Sequence, residues 1–292
     1  MALTDRARLR ELLERHGFTF SKAMGQNFLV NPSVCPRMAE LGGAAPGVGV
    51  LEIGPGVGVL TAELARRAGR VVCVELDSRL PPILAETLAE FDNVEIVLGD
   101  VMEVDLQSLI AERFGGMPVV VCANLPYYIT TPILMRLLES RLPVDAITVM
   151  VQKEAAARLC AAPGERECGA ISAAIAYYAE PRVLFPVSAG SFMPAPKVDS
   201  AVIRLDLRPK PPVSPGDERL MFELVRGAFA QRRKTVLNAL SASLGIGKDE
   251  LSQAFRTAGV DCGQRAERLT LQQFADLSDA VRALRAAGRF RS

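Results

Sequence analysis

Hydrophobic positions change their spacing several times along this 292-residue chain. Residues 4–16 carry apolar residues at helical spacing, a loop-like stretch follows, and 33–42 turns helical again. From residue 47 short β-branched runs take over: VGVLEI, RVVCVELD, 94–98, 117–123 and 144–151. Between them lie helical patterns: LTAELARRAG, which ends at Gly69, then 80–91, 106–114 and 131–141. Strands alternating with helices predict an α/β fold, a parallel sheet covered on both faces. After a helix at 153–161 and a segment at 169–179, RVLFPV (182–187) and SAVIRLDL (200–207) read as a closing antiparallel pair. KPPVSPG (210–216) breaks the pattern and reads as a linker. Beyond it only helical patterns remain, at 217–231, 234–244, 249–258 and 271–287. The expected organisation is an N-terminal arm (1–45), an α/β domain (46–209) and a small all-helical domain (210–292).

Composition changes this picture little. Hydrophobic content of 49% and charge of 23% suit a globular protein with a real core. No apolar run reaches the ~18 residues of a membrane helix, and the N-terminus has no apolar leader core. No membrane association is expected, and a cytoplasmic location is. Six cysteines show no CxxC pairing and read as reduced, small apolar groups. His16 is the only histidine, which argues against structural zinc, a His-based triad or a metallohydrolase. No metal is expected. The net charge of +1 hides an asymmetry. Residues 186–292 carry 17 Lys/Arg against 11 Asp/Glu, and residues 1–185 carry 17 against 22. A basic C-terminal part is a candidate phosphate-facing surface.

Candidate chemistry sits at the strand ends. VLEIGPGVGVLT places glycines at 54, 56 and 58 after the first strand, a GxGxG spacing rather than the dinucleotide GxGxxG, with Glu52 just before it. The second strand ends in Glu75-Leu76-Asp77, where a carboxylate fits a ribose diol. The third ends in Gly99-Asp100, where an acid fits an exocyclic adenine amine. An adenosine-containing cofactor across the carboxyl edge follows. A nicotinamide dinucleotide needs support for its pyrophosphate, whereas S-adenosyl-L-methionine brings a positive sulfonium. Residues 46–185 hold 11 Lys/Arg against 18 Asp/Glu, which favours the methyl donor.

The fourth strand runs into Asn124-Leu125-Pro126-Tyr127-Tyr128. The N6 amine of adenine is a poor nucleophile because its lone pair is delocalised into the ring. An Asn124 acceptor and a backbone carbonyl of the turn, pre-placed by Pro126, would hold both N–H groups and free that pair. Tyr127 would stack on the extruded base. Tyr128 reads as a packing residue.

Taken together, GQNFL (25–29), EIGPGVGVLT (52–61), VELD (74–77), GDVM (99–102), NLPYYI (124–129) and SFMPAPKVDSAV (191–202) resemble, in order, the ribosomal RNA adenine N6,N6-dimethyltransferases. FAQRRKTVLNAL (229–240) and RAERLT (265–270) look like the C-terminal signature of the bacterial small-subunit members. The resemblance covers about residues 20 to 280. It implies a Rossmann-like class I methyltransferase fold, with a mostly parallel seven-stranded sheet and helices on both faces, plus the small helical domain. It also implies S-adenosyl-L-methionine as donor and 16S rRNA, within the 30S subunit or its precursor, as partner, with dimethylation of two adjacent adenines near the 3′ end. Asn27 and Leu29 of the arm would close over the donor. Gly54 would line its methionine part, Glu75 its ribose and Asp100 its adenine end. Asn124 would face donor and target together. Asn124, Leu125, Pro126 and Tyr127 would form the catalytic corner, with Phe192 as the second aromatic face. Ser-Arg-Leu-Pro-Pro (78–82) departs from the family pattern and predicts a shifted helix start. Arg232, Arg233 and Lys234 are candidate rRNA contacts, and a monomer is expected. Three rivals are a large-subunit (23S) rRNA adenine methyltransferase of the antibiotic-resistance type, a nicotinamide-dependent dehydrogenase, and a non-catalytic ribosome assembly factor.

Overall fold

A computed structural model describes residues 3–20 and 27–287; Gly25 and Gln26 of the GQNFL segment lie outside them. The chain divides into two units, Met1–Ala156 with Glu180–Leu207, and Ala157–Ala179 with Arg208–Ser292.

The first unit opens with α1 (Arg6–Arg15), β1 (Phe28–Leu29) and α2 (Val34–Leu41). The alternation follows: β2 (Gly49–Ile53), α3 (Val59–Ala65), β3 (Arg70–Glu75), α4 (Pro81–Thr87), β4 (Val94–Leu98), α5 (Leu106–Phe114), β5 (Val119–Asn124), α6 (Thr130–Glu139) and β6 (Ala146–Gln152). α7 (Lys153–Leu159) and α8 (Ala170–Tyr178) precede β7 (Ala179–Val187), β8 (Phe192–Met193) and β9 (Ser200–Leu207). Seven strands form one sheet in the order β4-β3-β2-β5-β6-β9-β7. β2 to β6 pair in parallel, and β9 runs antiparallel to β6 from Ala146↔Asp206 to Gln152↔Ser200. Every residue of β2 is buried, so both pleat faces are covered, which is why its sequence does not alternate apolar with polar; Glu52 is its one charged residue.

Local chemistry starts and stops the helices as read. Asp5 accepts from the Ala7 and Arg8 N–H groups to cap α1, and Asp105 does the same for α5 with Gln107 and Ser108. Pro81 occupies the first turn of α4, so this helix starts at the prolines. Two findings differ from the sequence pattern. α1 buries Leu9, Leu12 and Leu13 in the same apolar cluster as Met38, Val50 and Ile83, so the segment read as an arm includes a helix built into the core. β1 and β8 form a two-stranded antiparallel ribbon, Phe28↔Met193 and Leu29↔Phe192, which no pattern in either segment announced.

The second unit holds α8, α9 (Glu218–Phe229), α10 (Val236–Leu244), α11 (Lys248–Ala258) and α12 (Leu271–Ala286). Its core joins Leu220, Leu224, Phe255 and Phe274. α8, expected with the sheet domain, adds Ala173 and Tyr177 to this core. The Tyr177 and Tyr178 hydroxyls both donate to Glu218 at 2.9 and 3.0 Å. The chain therefore crosses between units three times, and only the last crossing, at Leu207–Arg208, lies near the Pro-rich stretch. Among the described residues no helix is long and apolar enough to cross a membrane.

Candidate active site

Parallel register sets the site. Ile53, Val74 and Ala123 are level across β2, β3 and β5, so Gly54, Glu75 and Asn124 follow side by side at the carboxyl edge. β2 is where the strand order reverses, its neighbours leading outward to β3 and to β5, and ligands of open α/β sheets bind beside that switch point. A cleft with about 1160 Å³ of empty space, partly open to solvent, lies there. It brings together every cofactor and catalytic candidate of the sequence analysis: Asn27, Leu29, Gly54, Glu75, Asp100, Asn124, Leu125, Pro126, Tyr127 and Phe192. Among the described residues lining it are three carboxylates, Glu52, Glu75 and Asp100, and no Lys or Arg.

The Gly-rich turn needs its glycines for backbone shape. Gly54, Gly56 and Gly58 have φ of 69°, 59° and 87°, which side chains disfavour. A Cβ on Gly56 would lie 3.1 Å from the Phe28 ring, so β1 rests on this turn. Glu75 is buried, and its carboxylate is aimed by backbone: Oε1 accepts from Asp77 N at 2.7 Å and Oε2 from Gly56 N at 3.4 Å. Burial raises its pKa, opposed by those N–H groups. Asp100 Oδ1 accepts from Met102 N at 2.8 Å. The loop behind it is held by Arg136, which donates to the Val101 and Val104 carbonyls, both at 2.9 Å.

Glu52 is the residue the sequence analysis passed over. It is 1% exposed. Burial pushes its pKa up to about 7, with the Glu75 charge adding to the rise. The Cys73 thiol donates to Oε2 at 3.5 Å. The Thr61 hydroxyl also presses its pKa down, yet makes no hydrogen bond of ordinary geometry, so the contact is weak. An acid before a Gly-rich turn was visible in the sequence; its burial was not.

At the β5 corner the Asn124 amide donates to the Asn27 carbonyl at 3.5 Å, a long contact that ties arm to corner. Leu125 is buried. The Pro126 carbonyl already accepts from Ile129 N at 3.2 Å and Thr130 Oγ1 at 3.1 Å. The Tyr127 hydroxyl shares a 2.7 Å hydrogen bond with Ser200 Oγ, where either oxygen can donate, and burial raises its pKa. Tyr128, expected to pack, is instead 62% exposed and lines the cleft. α6 starts two residues later, at Thr130. Phe192 lines the cleft but is 1% exposed, paired with Leu29 of β1.

The basic candidates belong to the helical unit. Arg232, Arg233 and Lys234 are exposed in the turn between α9 and α10. The Arg232 guanidinium donates to the Arg166 and Cys168 carbonyls at 2.7 and 3.3 Å, bracing the loop before α8. Arg233 and Lys234 form no ion pair among the described residues. All six cysteines are free thiols, and burial drives that of Cys122 up to about 12. Among the described residues no cluster of His, Cys, Asp and Glu is arranged to hold a metal.

A mostly parallel seven-stranded sheet with one antiparallel insertion, a Gly-rich turn after β2 and a carboxylate-lined cleft define a Rossmann-like methyltransferase. The family model described as Ribosomal RNA adenine dimethylase matches residues 17–282, and the chain belongs to that family: it is an rRNA adenine dimethyltransferase. It is 48% identical over 278 residues to the ribosomal RNA small subunit methyltransferase A of Geobacillus thermodenitrificans (strain NG80-2), covering 94% of this chain and 95% of that one. The crystal structure of the 23S rRNA methyltransferase ErmE superimposes with a TM-score of 0.65 at 27% identity, covering 88% of this chain and 100% of that one. A dimethyladenosine transferase from Plasmodium falciparum shares the fold with a TM-score of 0.71 at 24% identity, covering 90% and 99%.

Proposed function

We propose that the enzyme uses S-adenosyl-L-methionine to dimethylate N6 of two adjacent adenines in the 3′-terminal hairpin of 16S rRNA, acting on the 30S subunit or its precursor. The observation that carries the donor assignment is the cleft itself, with three carboxylates, no cation and the Asn-Leu-Pro-Tyr corner on its rim. Such a lining suits a sulfonium and an ammonium group and disfavours a pyrophosphate. That same lining counts against a dehydrogenase. When bound, the donor supplies an electrophilic methyl carbon.

The chain's residues then divide the work. Glu75, its carboxylate fixed by two N–H groups, accepts from the ribose hydroxyls. Asp100 accepts from the donor's adenine amine, Gly54 lines the methionine part, and Asn27 and Leu29 cover it. The Asn124 side-chain oxygen accepts one N6–H of the target. With the Pro126 carbonyl committed to the first turn of α6, the Leu125 carbonyl accepts the other. With the donor bound, these two acceptors would aim the N6 lone pair at the methyl carbon it supplies, and the displaced N–H proton would leave to solvent. Asn124 positions and does not need to act as a base. Tyr127, tethered to Ser200, stacks on the base. Phe192 offers the opposing face once the β1 cover parts.

The helical unit supports the rRNA reading: it carries 17 Lys/Arg against 11 Asp/Glu, and Arg233 and Lys234 are free to meet phosphates. Arg232 contributes charge while bracing its loop. The 48% identity to a small-subunit enzyme, against 27% to a 23S enzyme, favours the small-subunit substrate. We read the protein as a cytoplasmic monomer, since one hairpin needs one active site. The test is transfer of radiolabelled methyl groups to unmethylated 30S and 50S particles, followed by nucleoside analysis. Label in N6,N6-dimethyladenosine of 16S rRNA is expected; label on 50S alone overturns the assignment.

A further inference from the structure

A second cavity, about 780 Å³ of open groove, lies in the sheet-bearing unit behind the β1–β8 ribbon. The ribbon residues Phe28, Leu29 and Phe192 line the cleft, and from this region the groove takes only Asn31 and Ser191, which flank the ribbon. Phe192 lines the cleft, and its neighbour Ser191 lines the groove. Asn31, just beyond β1, donates to Ser191 Oγ at 3.1 Å, and Val30 N donates to the Ser191 carbonyl at 2.8 Å.

The groove has the opposite charge character from the cleft. Two cations line it, Arg37 from α2 and Lys153 from the start of α7. Both are exposed, and neither forms an ion pair among the described residues. The Arg37 guanidinium lies 4.2 Å over the Phe185 ring, which fixes its plane and leaves its N–H edge available. The single lining carboxylate, Asp199, has Oδ1 occupied by the Ala189 N–H at 2.9 Å. Hydroxyls of Ser33 and Ser188 complete a polar rim. The Ser33 hydroxyl already donates to Asn31 Oδ1 at 2.8 Å, and Val34, Pro186 and Val187 make part of the wall apolar, so the two unpaired cations carry the anion path, and an oriented guanidinium suits a phosphate's paired oxygens.

We propose that this groove holds the RNA phosphodiester flanking the extruded adenine, so that the strand passes from cleft to groove over the β1–β8 ribbon. This rests on the rRNA-substrate reading. A nucleotide drawn into an acidic cleft brings its own anionic backbone, which the cleft cannot neutralise and the groove can.

The test uses the full-length enzyme with a labelled, unmethylated RNA hairpin of the 16S 3′ end. Affinity is measured across a salt series for wild type, Arg37→Ala, Lys153→Ala and the double variant. Each lost phosphate contact should lower the slope of log K against log salt by about 0.7, so the double variant should lose about 1.4. Arg37→Lys should keep the slope while losing some affinity. S-adenosylhomocysteine affinity by calorimetry should stay at the wild-type value, which reports an intact cleft. A wild-type slope in the double variant, with the cleft intact, overturns the proposal. Should a variant misfold, amine-reactive footprinting of wild type decides: Lys153 protected by the hairpin supports the groove, and equal labelling with and without RNA refutes it. Wild type that fails to methylate 30S particles would sink the substrate reading instead, a result distinct from either groove outcome.

Discussion

Glu52 makes the resting enzyme's stability depend on pH in an unusual direction. Its carboxyl is pushed up to about 7 by burial, from about 4.5 in an unfolded chain. A carboxyl raised in the folded state stabilises that state while both forms are protonated, below the unfolded value. The advantage disappears as pH rises through the folded value. The full swing is about 3 kcal/mol at 1.36 kcal/mol per unit, and about 2 kcal/mol of it falls between pH 5 and pH 7.5. The perturbation is Glu52→Gln, nearly isosteric, which keeps an acceptor for Cys73 and removes the titration. Urea unfolding of both proteins without donor, at half-unit steps from pH 5 to pH 7.5, gives the comparison. Stopping there avoids the buried thiols, which titrate far higher. Glu75, also raised, is present in both proteins and largely cancels. The variant should gain on wild type by about 2 kcal/mol across that window. A difference that is flat with pH, or that shrinks as pH rises, refutes a neutral buried Glu52.

Three further outcomes are expected. Asn124→Ala should lower methyl transfer by roughly 10²–10³, as for loss of a group that meets charge only in the transition state. Its melting temperature should stay within a degree or two, since Asn124 makes only a 3.5 Å contact with Asn27; turnover near wild type would remove Asn124 from the mechanism. Tyr128→Ala should raise KM for 30S particles about tenfold, equivalent to one lost stack of ~1–3 kcal/mol, with Tyr128→Phe restoring it and donor affinity unchanged; an unaltered KM would make the exposed ring incidental. Arg79 grips the buried Asp77 through Nε at 2.8 Å and Nη2 at 2.6 Å, and lies 4.7 Å over the Phe18 ring. Arg79→Ala should lower the melting temperature, with weaker donor binding by calorimetry as Phe18 and Phe28 loosen over the Gly-rich turn; an unchanged melting temperature with wild-type donor binding would show the arm is held elsewhere.

Much of this protein is written in local order. Apolar runs at strand length, caps such as Asp5 and Asp105, and prolines at 81 and 82 act within a few residues of themselves, so strands and helices are readable one by one. A parallel sheet then brings strand ends to one edge, which is why Gly54, Glu75, Asp100 and Asn124 could be grouped from sequence. What depended on distant partners was not readable. β1 and β8 are two residues each and meet across some 160 residues of chain, so neither carries a pattern of its own. Their pairing brings Leu29 and Phe192 together at the acidic cleft. α8 sits between sheet strands in sequence, yet its apolar face matches the helical core, and complementarity of surfaces assigned it there. Glu52 and Tyr128 are one acid and one ring in sequence; burial raised the first carboxyl's pKa to about 7 and exposure freed the second. Sequence fixes what each segment forms because those forces act over one turn or one strand. Only the folded chain decides which side chains lose their water, since desolvation comes from neighbours that arrive from elsewhere.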